Sequence, residues 1–164
     1  MRKVSIICFV AVLCCGLGFA QRNKNKATDR SSAEKNKTTA RRVFDDLFSR
    51  GSYELIDSMY EKGAIVHFGN REARLDDAVS EGKEWRSAFP DLVVRAEQVT
   101  GNGDVVEVRW SAHGTNKGRG RGLPGKGKQA KTQGTSKFKF NGDKIAEVWV
   151  DWNENEVRRQ VGGK

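Results

Sequence analysis

The residues best suited to chemistry lie near the C-terminus, where Trp149, Asp151 and Asn153 are spaced two residues apart. Residues two apart in an extended strand share a face, so these side chains are predicted to point together into an apolar pocket. Apolar surroundings raise the proton affinity of a carboxyl group, as a general base requires, so Asp151 is a catalytic candidate. Two alternatives stay open: a bulge reverses the parity of the strand, or Asp151 pairs at the surface with Arg158 and Arg159.

Two histidines are the other titratable candidates. His67 lies near the end of a short apolar strand, where it could polarise a carbonyl group or form a structural hydrogen bond at the pocket rim. His113 shares strand parity with Glu107 and Arg109, which predicts an outward-facing side chain without a catalytic role. Two histidines without clustered carboxylates do not form a metal site, and all three cysteines precede residue 16. Neither a metal nor a cofactor is therefore predicted.

Aromatic residues are the candidates for ligand binding. Tyr60, Trp85, Trp110 and Trp149 are predicted to form core and pocket wall. An aromatic wall of this size favours a flat, apolar ligand.

Helices and strands must position these residues. Apolar residues at three- and four-residue spacing indicate helices, and apolar runs bounded by glycine-containing turns indicate strands. The predicted helices span residues 32–50, 53–60, 75–88 and 154–161. The predicted strands span residues 64–68, 92–100, 105–115, 129–140 and 144–152. This order predicts an α+β fold, in which a strongly curved, mostly antiparallel sheet encloses one central pocket against the N-terminal helices.

The N-terminus carries the three-part pattern of a secretory signal peptide. Arg2 and Lys3 precede an apolar run over residues 4–13, and Gly18 and Ala20 occupy positions −3 and −1 of a cleavage point. We therefore predict a cleavable signal peptide over residues 1–20 and a secreted or periplasmic protein. After cleavage, the chain would not be an integral membrane protein.

Positive charge is concentrated in two segments of a chain whose formal net charge is +9. Residues 21–37 have no apolar residue larger than alanine, which predicts a basic disordered linker. Residues 117–128 form a basic glycine-rich loop, for which a solvated, mobile segment is the simplest interpretation. Weak contact of both segments with polyanions is the alternative. Nucleic acid is not an expected partner, because no aromatic residues for base stacking are interleaved with the basic ones.

Four motifs in the chain resemble those of the SnoaL-like polyketide cyclase family, within the nuclear transport factor 2-like superfamily. They are WRSAFPDL at 85–92, VVEVRWSAHGT at 105–115, GLPGKGK at 122–128 and NGDKIAEVW at 141–149. The resemblance extends from residue 33 to residue 162. It implies a cone-shaped α+β domain over residues 38–162 with one central pocket, and a homodimer.

The same resemblance bears on the site. In polyketide cyclases of this family, an aspartate after the last strand acts as general acid and base in an intramolecular aldol closure. The family pattern Trp-x-x-aromatic-Asp places that aspartate at Asn153 of this chain. An amide can orient a carbonyl or an enolate but cannot deprotonate a carbon acid. His67 occupies a position where the family often carries a histidine.

Three functions are compatible with these observations. The first is an exported domain that binds a small apolar or carbonyl-bearing molecule, with Asn153 as a hydrogen-bonding group. The second is a cyclase-like or isomerase-like enzyme that uses Asp151 as general acid and base, assisted by His67 or Asn153. The third is a dimeric interaction module that its basic tail tethers to an anionic surface. We predict the first.

Overall fold

A computed structural model describes residues 17–163 of the chain, with side chains described from residue 30 onward. The helical segments are α1 (Leu17–Arg42), a π-helix (Val43–Arg50), a 3-10 turn (Tyr53–Leu55), α2 (Ile56–Met59), α3 (Leu75–Ala88) and α4 (Glu154–Val161). The strands are β1 (Tyr60–Phe68), β2 (Arg71–Arg74), β3 (Val93–Asn102), β4 (Val105–Asn116), β5 (Lys128–Asn141) and β6 (Lys144–Trp152). None of the described helices is long and apolar enough to cross a membrane.

The six strands form one sheet in the order β2-β1-β6-β5-β4-β3. All neighbours are antiparallel except β1 and β6, which run parallel. Tight turns with Gly103 and Gly142 in the left-handed conformation join β3 to β4 and β5 to β6, because glycine adopts positive φ without a Cβ clash. The predicted α+β class, with helices covering a curved and mostly antiparallel sheet, is confirmed.

The helix predicted over residues 32–50 changes character at Val43. The segment Val43–Arg50 is a π-helix, in which Asp46 accepts hydrogen bonds from Arg42 at 2.8 Å and Arg50 at 2.6 Å. Gly51 ends it in the left-handed conformation, with φ of 76°. The adjacent apolar residues Val43 and Phe44 are both buried on the side of the π-helix that faces the core. Turns of π-helix are frequent at functional sites.

The N-terminal predictions have different outcomes. The signal peptide predicted for residues 1–20 lies almost entirely outside the described residues and stays a prediction. The disorder predicted for residues 21–37 is wrong for residues 30–37, which belong to α1. Asn36 in this segment is only 3% exposed, and Lys37 forms an ion pair of 2.9 Å with Glu34. Helix α1 therefore packs against the domain before residue 38.

Two apolar clusters hold the helices against the sheet. The larger joins the π-helix to the inner face of the sheet, with Phe44, Phe138 and Ile145 at 3% exposure or less. The smaller joins the end of α3, the loop after β4 and helix α4, through residues such as Leu123 and Val161. Burial of each large side chain contributes about 2 kcal/mol, so the clusters fix the helices that enclose the space between them.

Candidate functional site

A cavity of about 700 Å³ lies between the helices and the inner face of the sheet. Most of its wall is apolar and aromatic, and its aromatic residues include Phe44, Phe48, Tyr60, Trp85, Trp110 and Trp152. The π-helix contributes Phe44 and Phe48, and helix α3 contributes Trp85. A cavity of this size and character is typical of a site for a small apolar molecule.

Three tryptophans form one end of the cavity wall. Trp152 packs edge-on against Trp85 at 5.2 Å between ring centroids and lies 6.2 Å from Trp110. The indole N–H of Trp110 donates a hydrogen bond of 3.1 Å to the buried hydroxyl of Ser136. Gly134 is required beneath these rings, because a Cβ there would lie 2.5 Å from the Trp110 ring. The predicted wall residues Tyr60, Trp85 and Trp110 border this cavity.

The prediction that Trp149, Asp151 and Asn153 point into the pocket from the last strand is wrong. Strand β6 turns Val148, Val150 and Trp152 toward the cavity, whereas Trp149 is not part of the wall. The register between β5 and β6 shifts after the Phe140–Ile145 pair, and this irregularity reverses the parity of the strand. The sequence carries only a weak signal of this face, since Val148 and Val150 are flanked by the charged residues Glu147 and Asp151 but are separated by Trp149.

On the outer face of the sheet, Trp149 and His67 form a stacked pair. Their ring centroids are 5.1 Å apart, and the Lys137 ammonium lies 4.2 Å from the centre of the Trp149 ring. His67 Nε2 is 2.8 Å from Glu147 Oε1, and His67 Nδ1 is 3.9 Å from Glu72 Oε2. The structure thus places His67, predicted as catalytic, and Trp149, predicted as ligand-binding, on the face opposite the cavity.

Asp151 and Asn153 are not brought together inside the cavity either. Asp151 is among the residues that border the cavity, but it is exposed to solvent. Asn153 caps helix α4, where its side-chain oxygen accepts a hydrogen bond of 3.2 Å from the Glu156 N–H. An asparagine in this position satisfies one of the free N–H groups at the helix start. His113, for which no catalytic role is predicted, also borders the cavity and is exposed, as its strand parity predicts.

A cluster of partly exposed charged residues, not identified from the sequence, forms the mouth of the cavity. Arg71, Glu81, Arg121 and Glu154 all border the cavity and come from β2, α3, the loop after β4 and α4. Arg71 Nη1 lies 2.7 Å from Glu81 Oε1, and Arg121 bridges Glu81 at 3.4 Å and Glu154 at 3.2 Å. The spacing of these four residues in the sequence does not indicate the ion pairs, because only tertiary packing brings the residues together.

The glycine-rich loop that carries Arg121 is ordered, contrary to the prediction of a solvated, mobile segment. The fully buried side chain of Asn116 donates to the Ala88 carbonyl at 3.0 Å and accepts from the Gly125 N–H at 2.9 Å. The backbone passes so close to helix α3 that a Cβ at Gly118 would lie 1.8 Å from the Ser87 carbonyl oxygen. These contacts fix the loop against α3, and Arg121 is its residue that borders the cavity.

Two tyrosines in the cavity wall keep their protons. Burial raises the pKa of Tyr53 above its usual value and raises the pKa of Tyr60 much further. Both are therefore neutral hydroxyls near pH 7. The Tyr53 hydroxyl is buried and has no hydrogen-bond partner within residues 30–163. Across the same residues, no group of three or more His, Cys, Asp or Glu side chains could hold a metal ion.

Comparison with known proteins extends these observations. The family model described as SnoaL-like polyketide cyclase matches residues 38–161. No curated protein matches the sequence.

Several solved structures share the fold. AclR, a candidate hydroxylase from Streptomyces galilaeus, has a TM-score of 0.73 at 19% identity over 80% of this chain and 83% of its own. A candidate SnoaL-like polyketide cyclase from Jannaschia sp. CCS1 has a TM-score of 0.73 at 21% identity, covering 81% of this chain and 95% of its own. IdmH, a candidate polyketide cyclase from Streptomyces antibioticus, has a TM-score of 0.68 at 18% identity over 77% and 98% of the two chains. At these identities the likeness concerns the fold.

Proposed function

Because the chain belongs to the SnoaL-like polyketide cyclase family, we propose that its cavity binds one small, largely apolar molecule and does so without the aldol chemistry described for polyketide cyclases. The observation that carries the proposal is the cavity of about 700 Å³ with its three tryptophans and apolar wall. Folds of this kind host different functions, so the proposal depends on the site.

The wall favours a flat ligand that carries a carbonyl group. The aromatic faces of Trp85, Trp110 and Trp152 offer contact to a planar, apolar body. Tyr60 lies in the same wall, and its hydroxyl, which is neutral near pH 7, is a hydrogen-bond donor. A ketone or ester oxygen can accept from such a donor, whereas a pure hydrocarbon cannot.

The contacts of the candidate acid–base residues argue against acid–base catalysis. Asn153, at the position of the family's aspartate, accepts a hydrogen bond from the backbone of α4 and cannot take a proton from carbon. Asp151 is exposed, so the apolar surroundings that would suit it as a base are absent. Glu81 and Glu154 are each held by ion pairs with arginines. Binding is therefore better supported than the second hypothesis, in which Asp151 is the base.

The proposal can be tested by filling the cavity. Ala78 lies in the cavity wall on α3, and Ser80 is exposed on the same helix. We expect 2-acetylnaphthalene to quench the tryptophan fluorescence of the wild-type protein and to lose measurable binding in Ala78→Phe. The matched control Ser80→Phe should bind as the wild type does.

Circular dichroism would establish that both variants are folded. Absence of saturable quenching in the wild type, or equal affinity in Ala78→Phe, would contradict the proposal. The enzymatic alternative has its own check, since turnover of any substrate that survives Asp151→Asn would remove Asp151 from the mechanism.

A further inference from the structure

An ion-pair cluster at the mouth of the cavity contains three arginines and three glutamates: Arg71, Arg121, Arg158, Glu81, Glu84 and Glu154. All but Glu84 and Arg158 border the cavity, and Arg121 is the most loosely held of the arginines. Its guanidinium contacts carboxylates at 3.2, 3.4 and 3.9 Å, from Glu154, Glu81 and Glu84. By contrast, Arg71 Nη1 lies 2.7 Å from Glu81, and Arg158 Nε donates to Glu154 at 2.8 Å. The strongest charge-assisted hydrogen bonds have these shorter lengths.

Two of the carboxylates that contact Arg121, those of Glu81 and Glu154, also form ion pairs with other arginines. If Arg121 turned away, Glu81 would keep Arg71 and Glu154 would keep Arg158, so neither partly buried carboxylate would be left alone. Stranding a buried charge is the main cost of breaking such a pair, and here that cost is avoided. Arg121 can therefore exchange one carboxylate for another from a ligand.

The Nε atom of Arg121 gives a second reason. It is buried and has no hydrogen-bond partner in the described part of the chain, although Arg121 borders the cavity and its guanidinium lies 5.5 Å from the centre of the Trp85 ring. A buried donor without an acceptor is unfavourable, and a ligand oxygen near the guanidinium would relieve it.

The backbone conformation of Arg121 also supports a role for its side chain. Among residues 17–163 it is the one non-glycine residue with positive φ, at 53°, in a loop where Gly122, Gly125 and Gly127 also have positive φ. Glycine would occupy position 121 with less strain. A strained arginine in such a loop indicates that its side chain has a role.

We infer that Arg121 recognises the carboxylate of an apolar monocarboxylic acid bound in the cavity. The inference rests on the proposed function and specifies its ligand class. Arginine suits the role because its planar guanidinium matches a carboxylate in geometry as well as charge. General electrostatic attraction of the ligand adds little, since Lys131 and Asp151 also border the cavity and carry opposite charges. The preference for a ligand with a carboxylate therefore depends on direct contact with Arg121.

The test compares 2-naphthoic acid with its methyl ester at pH 7, by quenching of tryptophan fluorescence. These ligands share their apolar body and differ in charge. The variant Arg121→Gly removes the side chain and suits the left-handed backbone, so it should fold. We expect it to bind the acid roughly tenfold more weakly than the wild type and to bind the ester within about twofold of the wild type.

Arg119→Gly is the matched control, because Arg119 is an exposed arginine in the same loop and its loss changes the net charge equally. It should leave both affinities unchanged. Arg121→Gln provides a second variant that retains a side chain, and it should show the same selective loss as Arg121→Gly.

The outcomes separate the two proposals. If the wild type binds the ester but not the acid, or if both Arg121 variants retain affinity for the acid, the role of Arg121 is refuted while the binding function stands. If the wild type binds neither ligand and also fails to bind 2-acetylnaphthalene, both proposals are refuted. An equal loss of acid binding in Arg119→Gly would also refute the specific role of Arg121, since it would reveal a general effect of charge.

Discussion

The two faces of strand β6 carry tryptophans with opposite roles. Trp152 lies on the inner face, where it touches Trp85 and Trp110 and closes one end of the cavity. Trp149 lies on the outer face, where it stacks on His67 and under the Lys137 ammonium. The same residue type, three positions apart, thus belongs to a ligand-sized cavity on one side and to a solvent-facing cluster on the other. Which face a residue occupies decides its role more than its chemical type does.

The largest expected effect comes from truncating each tryptophan in turn. Trp152→Ala removes contacts with two rings and opens the cavity wall, so we expect a loss of about 3 kcal/mol in the free energy of unfolding. Trp149→Ala removes stacking at a partly exposed surface and should cost about 1 kcal/mol or less. Urea denaturation measures both values.

Binding of 2-acetylnaphthalene to the same two variants tests the functional side of the comparison. We expect Trp152→Ala to weaken binding and Trp149→Ala to leave it unchanged. Equal effects of the two substitutions on binding would break the distinction between the faces.

A smaller effect is expected from a methyl group added at Gly134. A Cβ there would lie 2.5 Å from the Trp110 ring and 2.6 Å from the Asp151 carbonyl oxygen, so the inner wall must shift. We expect Gly134→Ala to cost about 2 kcal/mol by urea denaturation, as overpacking does. Gly63→Ala, in β1 with open space around its Cβ position, is the control and should stay within about 0.5 kcal/mol. An unchanged free energy of unfolding in Gly134→Ala would show that the cavity wall around Trp110 can accommodate a methyl group.

The smallest effect concerns an exposed carboxylate that does not border the cavity. Asp91 accepts hydrogen bonds from the Thr115 N–H at 2.6 Å and the Thr115 hydroxyl at 2.7 Å, and these bonds lower the pKa of Asp91. A lowered pKa in the folded state contributes stability above the unfolded pKa of about 3.9, and this contribution is lost as the pH falls through the folded pKa.

Melting temperatures of the wild type and Asp91→Asn, measured between pH 7 and pH 2, test this contribution. We expect a modest difference at pH 7 that shrinks as the pH falls below about 4. A difference that stays constant over the whole range would assign the effect of the substitution to packing and not to the charge of Asp91.

Hydrophobic periodicity and turn residues predict those helices and strands whose bounds depend on local sequence. Helix α3 (Leu75–Ala88), strand β6 (Lys144–Trp152) and helix α4 (Glu154–Val161) have the predicted bounds, because a clear periodicity ends at a proline or a turn. Strand β2 was missed, since its four residues are too few to show an alternation. The π-helix was missed because the apolar spacing of residues 43–50 also fits an α-helix.

The candidate site was harder to predict because its parts meet only in three dimensions. The inward face of β6 was assigned from Trp149, Asp151 and Asn153, whereas a register irregularity near Ile145 reverses that assignment. Arg121 was counted as one of many charges in a glycine-rich loop, where composition suggested mobility. Contacts of that loop with α3 and α4 could not be read from spacing.

The parallel pairing of β1 with β6 has a kinetic consequence. His67 and Glu147, which meet across this seam, are 80 residues apart in the chain. Contacts of such large sequence separation carry a high entropic cost of closure and slow folding. We expect the hairpins β3–β4 and β5–β6 to assemble first and this seam to close last, so competence to bind a ligand would be the final property that a refolding chain acquires.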